Sequence, residues 1–291
     1  MIELRDVSYG YKSDLVLDKI NFEEEDPIIT CLWGRNGAGK TTLMKLLAGL
    51  NQPQSGDISV MGMAPYNNQE ARRNICFIQE NQPFNPDWKV RDTIEIAKGF
   101  HPNWRKETEE QLLKLFKLPL NKKIKALSKG MKTSLQLVIG LASHAQVTIL
   151  DEPTNGLDAV VRKQLFKVML ESYENHPRHI LLSTHHINEI QPLCESIAVI
   201  HNHKILFHQS IDDLRSRGIL LTGDQKVINE LTENMNILEK ENLGHMCRVM
   251  IDDLYTEEWK RTSNKYNVTI EKADLQDYLI NITNDTEEVL A

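Results

Sequence analysis

Short unbroken apolar runs alternate with longer stretches of helical periodicity over most of this 291-residue chain. The runs at 28–33 (IITCLW), 75–78 (ICFI), 147–150 (VTIL) and 179–183 (HILLS) lack the polar alternation of a half-exposed strand, so they read as strands buried on both faces. Helical spacing recurs over 43–50, 90–99, 104–118, 135–142 and 160–173, with a short helix at 211–215. Looser alternation at 2–9 and 16–22 predicts an opening antiparallel hairpin. A strand at 57–61 follows the turn Pro53-Gln54-Ser55-Gly56, and 196–200 and 204–207 pair through His201-Asn202-His203. Strands alternating with helices imply an α/β fold with a mainly parallel sheet and antiparallel pieces at one side. Beyond Gly218 the pattern restarts on a smaller scale, with strands at 218–221, 247–251 and 267–270 and helices at 227–231, 255–265 and 273–282. The expected organisation is a main domain over 1–217 and a small α/β appendage over 218–291.

Charge sharpens that boundary. The formal net charge is −7, yet residues 1–215 balance at 26 basic and 26 acidic side chains. Residues 216–291 hold 8 basic against 15 acidic and account for the whole excess. An acidic appendage argues against nucleic acid or an anionic membrane surface as partner. No apolar run approaches a membrane span, and the first residues lack the basic-then-apolar layout of a signal peptide, so a cytoplasmic chain is expected. Cys31, Cys76, Cys194 and Cys247 form no C-x-x-C pair and read as buried thiols rather than a metal site or disulfides.

The candidate chemistry centres on Gly34-Arg35-Asn36-Gly37-Ala38-Gly39-Lys40-Thr41-Thr42. Small residues let successive N–H groups curl around a phosphate chain. Lys40 supplies a point charge for the β- and γ-phosphates, and the Thr41 hydroxyl can ligate Mg²⁺. The stretch lies between a buried strand and a helix, where a helix N-terminus favours anions. Tyr11, preferred over Tyr9, precedes it at a spacing that suits stacking on a base. Asp151 and Glu152 end another buried strand. A nucleotide hydrolase needs one carboxylate for the metal shell and one to orient or activate water, so Asp151 takes the first role and Glu152 the second.

Leu127-Ser128-Lys129-Gly130-Met131 upstream of this pair, and Gly156-Leu157-Asp158 and Thr184-His185 downstream, complete an ordered set that resembles the ATP-binding-cassette ATPase family, over about residues 1–215. The resemblance implies a P-loop ATPase core with a helical subdomain at about 84–139, where a membrane partner docks. It implies ATP and Mg²⁺ as cofactors, Tyr11 as the adenine-stacking aromatic, His185 as the switch histidine and Asp158 as the D-loop acid. It also implies that Ser128, Lys129, Gly130 and Met131 face the γ-phosphate held by another subunit. One such set per chain implies an ATP-sandwich dimer with a second copy or a related ATPase. The remaining expectations are a separately encoded polytopic permease and a position on the inner face of the cell membrane.

Two places depart from the family pattern. Lys129 and Met131 stand where a glycine and a glutamine are usual, a variant that resembles short drug- and peptide-efflux systems. Counting back from Val90 puts the family's metal-reaching glutamine on Glu80 rather than Gln79. Strand alternation then predicts that only one of the two faces the phosphates, with Glu80 the expected one. The tail segment 273–279 resembles the closing helix of ABC-2-type exporters, which implies export rather than import. A soluble cassette ATPase of translation or DNA repair fits less well, since the chain lacks a second cassette and long coiled coils. A GTPase or small-molecule kinase would have no use for Leu127–Met131.

Overall fold

In the computed structural model, which describes residues 1–284, the buried apolar runs form the middle of a six-stranded sheet. Its order is β5 (Ile75–Ile78), β6 (Val147–Leu150), β7 (His179–Thr184), β3 (Ile29–Trp33), β8 (Ser196–His201) and β9 (Lys204–Ser210). The pairings β5–β6, β6–β7, β7–β3 and β3–β8 are parallel. Every residue of β3, β6 and β7 is buried, which explains their unbroken apolar character. A separate antiparallel sheet is built from β2 (Asp14–Glu24), β1 (Ile2–Tyr11) and β4 (Ser55–Val60). Leu4, Val7, Leu17, Ile20 and Ile58 from it share one core with Leu43, Met44 and Leu47 of α1 (Lys40–Leu47) and with Leu32, Ile149 and Leu181 of the parallel strands. At about 25 cal/mol per Å² of apolar surface removed from water, this core anchors α1, and with it the glycine-rich loop, to both sheets.

The short helix α2 (Gln69–Arg73), not anticipated from the sequence, is started by Asn68, whose Oδ1 accepts the N–H groups of Glu70 and Ala71. The expected helical region contains α3 (Val90–Phe100), α4 (Lys106–Phe116) and α5 (Lys129–Ala142). Helix α5 starts six residues before its apolar stretch. Ser128 caps it, its Oγ accepting Met131 N–H at 3.3 Å, and a polar first turn gives no hydrophobic signal. Helix α6 (Ala159–Asn175) is capped by Asp158, whose Oδ1 accepts the N–H groups of Val160 and Val161 at 2.9 Å each. A further short helix, α7 (Ile187–Ile190), follows β7.

The chain divides into two compact units, residues 1–185 with 189–208, and residues 186–188 with 209 onward. The division thus falls ahead of the expected boundary at Gly218. Within the second unit, after α8 (Ile211–Leu214), the antiparallel sheet runs β11 (Ile237–Leu243), β12 (Met246–Leu254), β10 (Arg217–Asp224), β13 (Thr269–Lys272). Alternate residues Ile219 and Leu221 of β10 and Cys247, Val249 and Ile251 of β12 pack with Ile228 of α9 (Gln225–Thr232) and Trp259 of α10 (Glu257–Tyr266). Gly218 lies inside β10 at φ 79°, where a Cβ would come within 2.7 Å of Tyr278 in α11 (Leu275–Ile282). It is therefore a close-approach position rather than a linker. Strand β11 (ILEKENL) carries no alternation signal in the sequence, because it is an edge strand whose charged residues hide the period of two. The expected appendage ran to 291, and residues 285–291 lie outside the described residues.

Candidate functional site

Helix α1 begins at Lys40, directly after Gly39, which holds φ 105° in the left-handed region, as Gly37 does at 85°. Two such residues turn the loop 34–39 sharply into the helix, the conformation that only glycine adopts without strain. Lys40 is buried, and its Nζ donates to the carbonyls of Gly34 at 2.6 Å and Arg35 at 3.4 Å. Burial lowers its pKa, while the charges of Glu152 and Asp151 pull it back up. Its Nζ lies 3.8 Å from Glu152 Oε1. The ammonium is thus held among oxygens at the start of a helix, ready to trade carbonyl contacts for phosphate oxygens.

Strand β6 delivers Asp151 and Glu152 to the same place. Thr41 Oγ1 donates to Asp151 Oδ2 at 2.8 Å, and Ser183 Oγ donates to Asp151 Oδ1 at 2.6 Å. Ser183 Oγ also accepts the N–H of Glu152 at 2.9 Å. That bond holds Glu152 at φ 49°, a left-handed conformation unfavourable for a residue with a Cβ. The Glu152 carboxylate meets His185 Nδ1 at 2.8 Å. Glycine-rich loop, acidic pair and histidine therefore form one connected network across β3, β6 and β7, although Thr41 and Asp151 are 110 residues apart in sequence and Glu152 and His185 are 33 apart. Ser183 is the member that sequence reasoning missed; its position in a buried run, one place before Thr184-His185, gave no sign that its hydroxyl bridges the two acidic residues.

The oxygen donors of Thr41 and Asp151 suit Mg²⁺, which is usually held by one or two protein groups with waters and substrate phosphates completing the shell. No larger cluster of His, Cys, Asp and Glu suited to a metal occurs among the described residues. Tyr11 is exposed and meets Tyr9 edge-on at 5.2 Å between ring centroids, which leaves Tyr11 the more available face. Ser128, Gly130, Met131, Gly156, Leu157 and Asp158 line a cavity of about 930 Å³. A Cβ on Gly130 would lie 2.8 Å from the Gly156 carbonyl, so the close contact of these two motifs requires glycine at 130.

Glu80 is placed differently from the expectation. Its Oε1 accepts Asn155 Nδ2 at 2.6 Å and lies 3.5 Å from Lys129 Nζ, so the carboxylate is engaged by these two residues rather than by Thr41 and Asp151. Strand β5 ends at Ile78, so Gln79 and Glu80 both lie beyond it and are not held to alternate faces. Gln79 lines a cavity of about 820 Å³ with Phe77, Phe84, Trp88, Ile96 and Phe100.

Comparison with known proteins gives the family. The ABC transporter family profile matches residues 17–155. The chain is 33% identical over 205 residues to the Nod factor export ATP-binding protein I of Burkholderia thailandensis, covering 68% of this chain and 67% of that one. It is 30% identical to the bacitracin transport ATP-binding protein BcrA of Bacillus licheniformis (75% and 72% covered) and 28% identical to the ABC transporter ATP-binding protein YtrB of Bacillus subtilis (86% of each). Among solved structures, an ATP-binding subunit of an ABC transporter superposes with TM-score 0.67 at 29% identity, over 74% of this chain and 92% of that one. A dimeric bacterial cassette of 19% identity shares the fold, with TM-score 0.64 over 72% of this chain and 99% of that one. With its glycine-rich loop, acidic pair and His185 gathered into one hydrogen-bonded network, the chain belongs to the ABC transporter family as an ATP-binding and ATP-hydrolysing subunit.

Proposed function

We propose that this subunit powers an exporter through two composite sites formed by two copies, each taking Mg-ATP on its own 34–42 loop and closed by Ser128, Gly130 and Asp158 of the other. The observation that carries the catalytic part is Glu152, hydrogen-bonded to His185 at 2.8 Å, 3.8 Å from the Lys40 ammonium, and next in sequence to Asp151. A carboxylate so placed can orient and deprotonate water while His185 holds it in position, the contribution expected of a general base. Thr41 and Asp151 would hold Mg²⁺, which neutralises phosphate charge when bound, and Tyr11 would stack on adenine. Glu80 is engaged by Asn155 and Lys129, so Thr41 and Asp151 carry the metal assignment.

Docking of a separately encoded membrane permease is supported by the 820 Å³ cavity, lined by Phe84, Trp88, Ile96 and Phe100, with Phe100 71% exposed. Exposed aromatic side chains rimming a concave apolar surface suit a helix laid into a groove. No helix among the described residues is long and apolar enough to cross a membrane, so the pathway would belong to the permease and place this subunit on the inner membrane face. Relatives named for bacitracin transport and Nod factor export favour export of amphipathic compounds. The acidic excess after residue 215 disfavours nucleic acid as partner.

Glu152→Gln tests the core of this reading. The amide keeps an oxygen for His185 but cannot take a proton, so turnover should fall about 10²- to 10⁴-fold with ATP still bound. The variant should accumulate as an ATP-dependent dimer on a sizing column. Near-normal turnover would remove Glu152 as the base, and a monomer saturated with Mg-ATP would refute the two-copy site.

A further inference from the structure

Three segments meet at Glu80. The first is the end of β5, where Gln136 Nε2 of α5 donates to the carbonyls of Gln79 and Glu80 at 3.1 Å each. The second is the segment after the acidic pair, where Asn155 Nδ2 donates to Glu80 Oε1 at 2.6 Å and the Asn155 carbonyl accepts Thr133 Oγ1 of α5 at 3.1 Å. The third is the first turn of α5, where Lys129 Nζ approaches Glu80 Oε1 at 3.5 Å. Asn155 also stands three residues after Glu152, its N–H donating to the Glu152 carbonyl at 3.1 Å. The Glu80 side chain is about one-third exposed, so its charge is partly shielded from water and its bond to Asn155 is a charge-assisted one.

We infer that Glu80 is a positioning residue for ATP hydrolysis: it fastens the Ser128–Met131 turn and the Asn155–Asp158 segment to the end of β5, with Lys129 as its charge partner. The two departures from the family pattern then explain one another. A carboxylate at 80 and an ammonium at 129 compensate in charge, and each stands where the other can reach it. The inference rests on the two-copy reading for the role of Ser128, whereas the tie itself lies within one chain.

The experiment uses the full chain with Mg-ATP and measures kcat, KM for ATP and the Mg²⁺ concentration at half-maximal rate. Asn155→Asp sets two carboxylates against each other and should lower kcat about tenfold, with KM for ATP changed less than about twofold. Glu80→Gln in the same chain restores a donor opposite the new carboxylate and should recover most of that loss. Lys129→Gln, at an exposed position that does not threaten folding, should lower kcat less in a Glu80→Gln background than alone. Additive losses throughout, with no recovery in the Asn155→Asp, Glu80→Gln double variant, would overturn the tie. A raised Mg²⁺ requirement for Glu80→Gln would overturn it also, by assigning the carboxylate to the metal. Failure of the two-copy reading shows separately, as Glu152→Gln remaining monomeric in ATP.

Discussion

Ser183→Ala removes one oxygen that serves two partners. The hydroxyl donates to Asp151 Oδ1 at 2.6 Å and accepts Glu152 N–H at 2.9 Å, in a side chain with no exposure to solvent. A hydrogen bond to a charged group contributes about 1.5–3 kcal/mol, and a buried N–H left without an acceptor costs about 1–3 kcal/mol. Water entering the space would recover part of the sum, so the net loss should be about 3 kcal/mol. In a domain of this size each kcal/mol moves the thermal midpoint by about 2–4 °C, which predicts a fall of about 6–12 °C. Activity should suffer independently of stability. The bond from Ser183 is what holds Glu152 at φ 49°, and release of that backbone moves the carboxylate relative to His185. Misplacement of a catalytic group by about 1 Å costs on the order of 10²-fold, so kcat at 20 °C should fall about 10- to 100-fold with little change in ATP affinity. Differential scanning fluorimetry and a phosphate-release assay measure the two effects. A variant with the midpoint and kcat of the unmodified protein would show that Ser183 bridges nothing of consequence, and the reasoning from the network would fail.

Lys40→Ala should abolish ATP binding in an equilibrium titration, because the phosphates lose the buried ammonium held by Gly34 and Arg35; unchanged affinity would remove the 34–42 loop as the phosphate site. Mixing that variant with Ser128→Arg should restore activity through one intact composite site, whereas a mixture as inactive as either parent would argue for sites within single chains. Truncation after Arg215 removes Gln276 and Asp274, whose side chains accept Ile187 N–H at 2.7 Å and Asn188 Nδ2 at 3.0 Å; ATP binding should persist while the lifetime of the ATP-bound dimer changes, and loss of ATP binding in a folded truncation would assign the second unit a direct role. Burial, reinforced by Arg178, His176 and Arg105, pushes His144 down to about 3, and burial with the nearby chain N-terminus pushes His179 down to about 4. Both rings are neutral when folded but protonate near 6.5 when unfolded, so their contribution is intact above pH 6.5 and is lost as pH falls toward 4, by about 1.4 kcal/mol per pH unit for each. A urea midpoint that does not fall between pH 7 and pH 5 would contradict this.

Chemistry carried by contiguous residues was legible in the sequence. A loop that wraps phosphates needs glycines and a lysine at fixed spacing within one turn, so Gly34–Thr42 announces itself, as does an acidic pair at the end of an apolar run. The buried parallel strands were equally plain, since strands covered on both faces have no reason to alternate. Contacts between distant residues were not legible. Nothing local told that Ser183 bridges Asp151 and Glu152, or that Asn155 takes the Glu80 carboxylate across 75 positions. Alternation would dictate the direction of Glu80 only in a strand continuing through it, but β5 ends at Ile78. Helix α5 and strand β11 show the same limit from the other side. Each includes residues placed by a cap or by pairing with a neighbour rather than by their own apolar period. Sequence determined the parts whose physics acts within a few residues, and tertiary packing decided which of those parts touch, because a hydrogen bond depends on distance in space and not on separation along the chain.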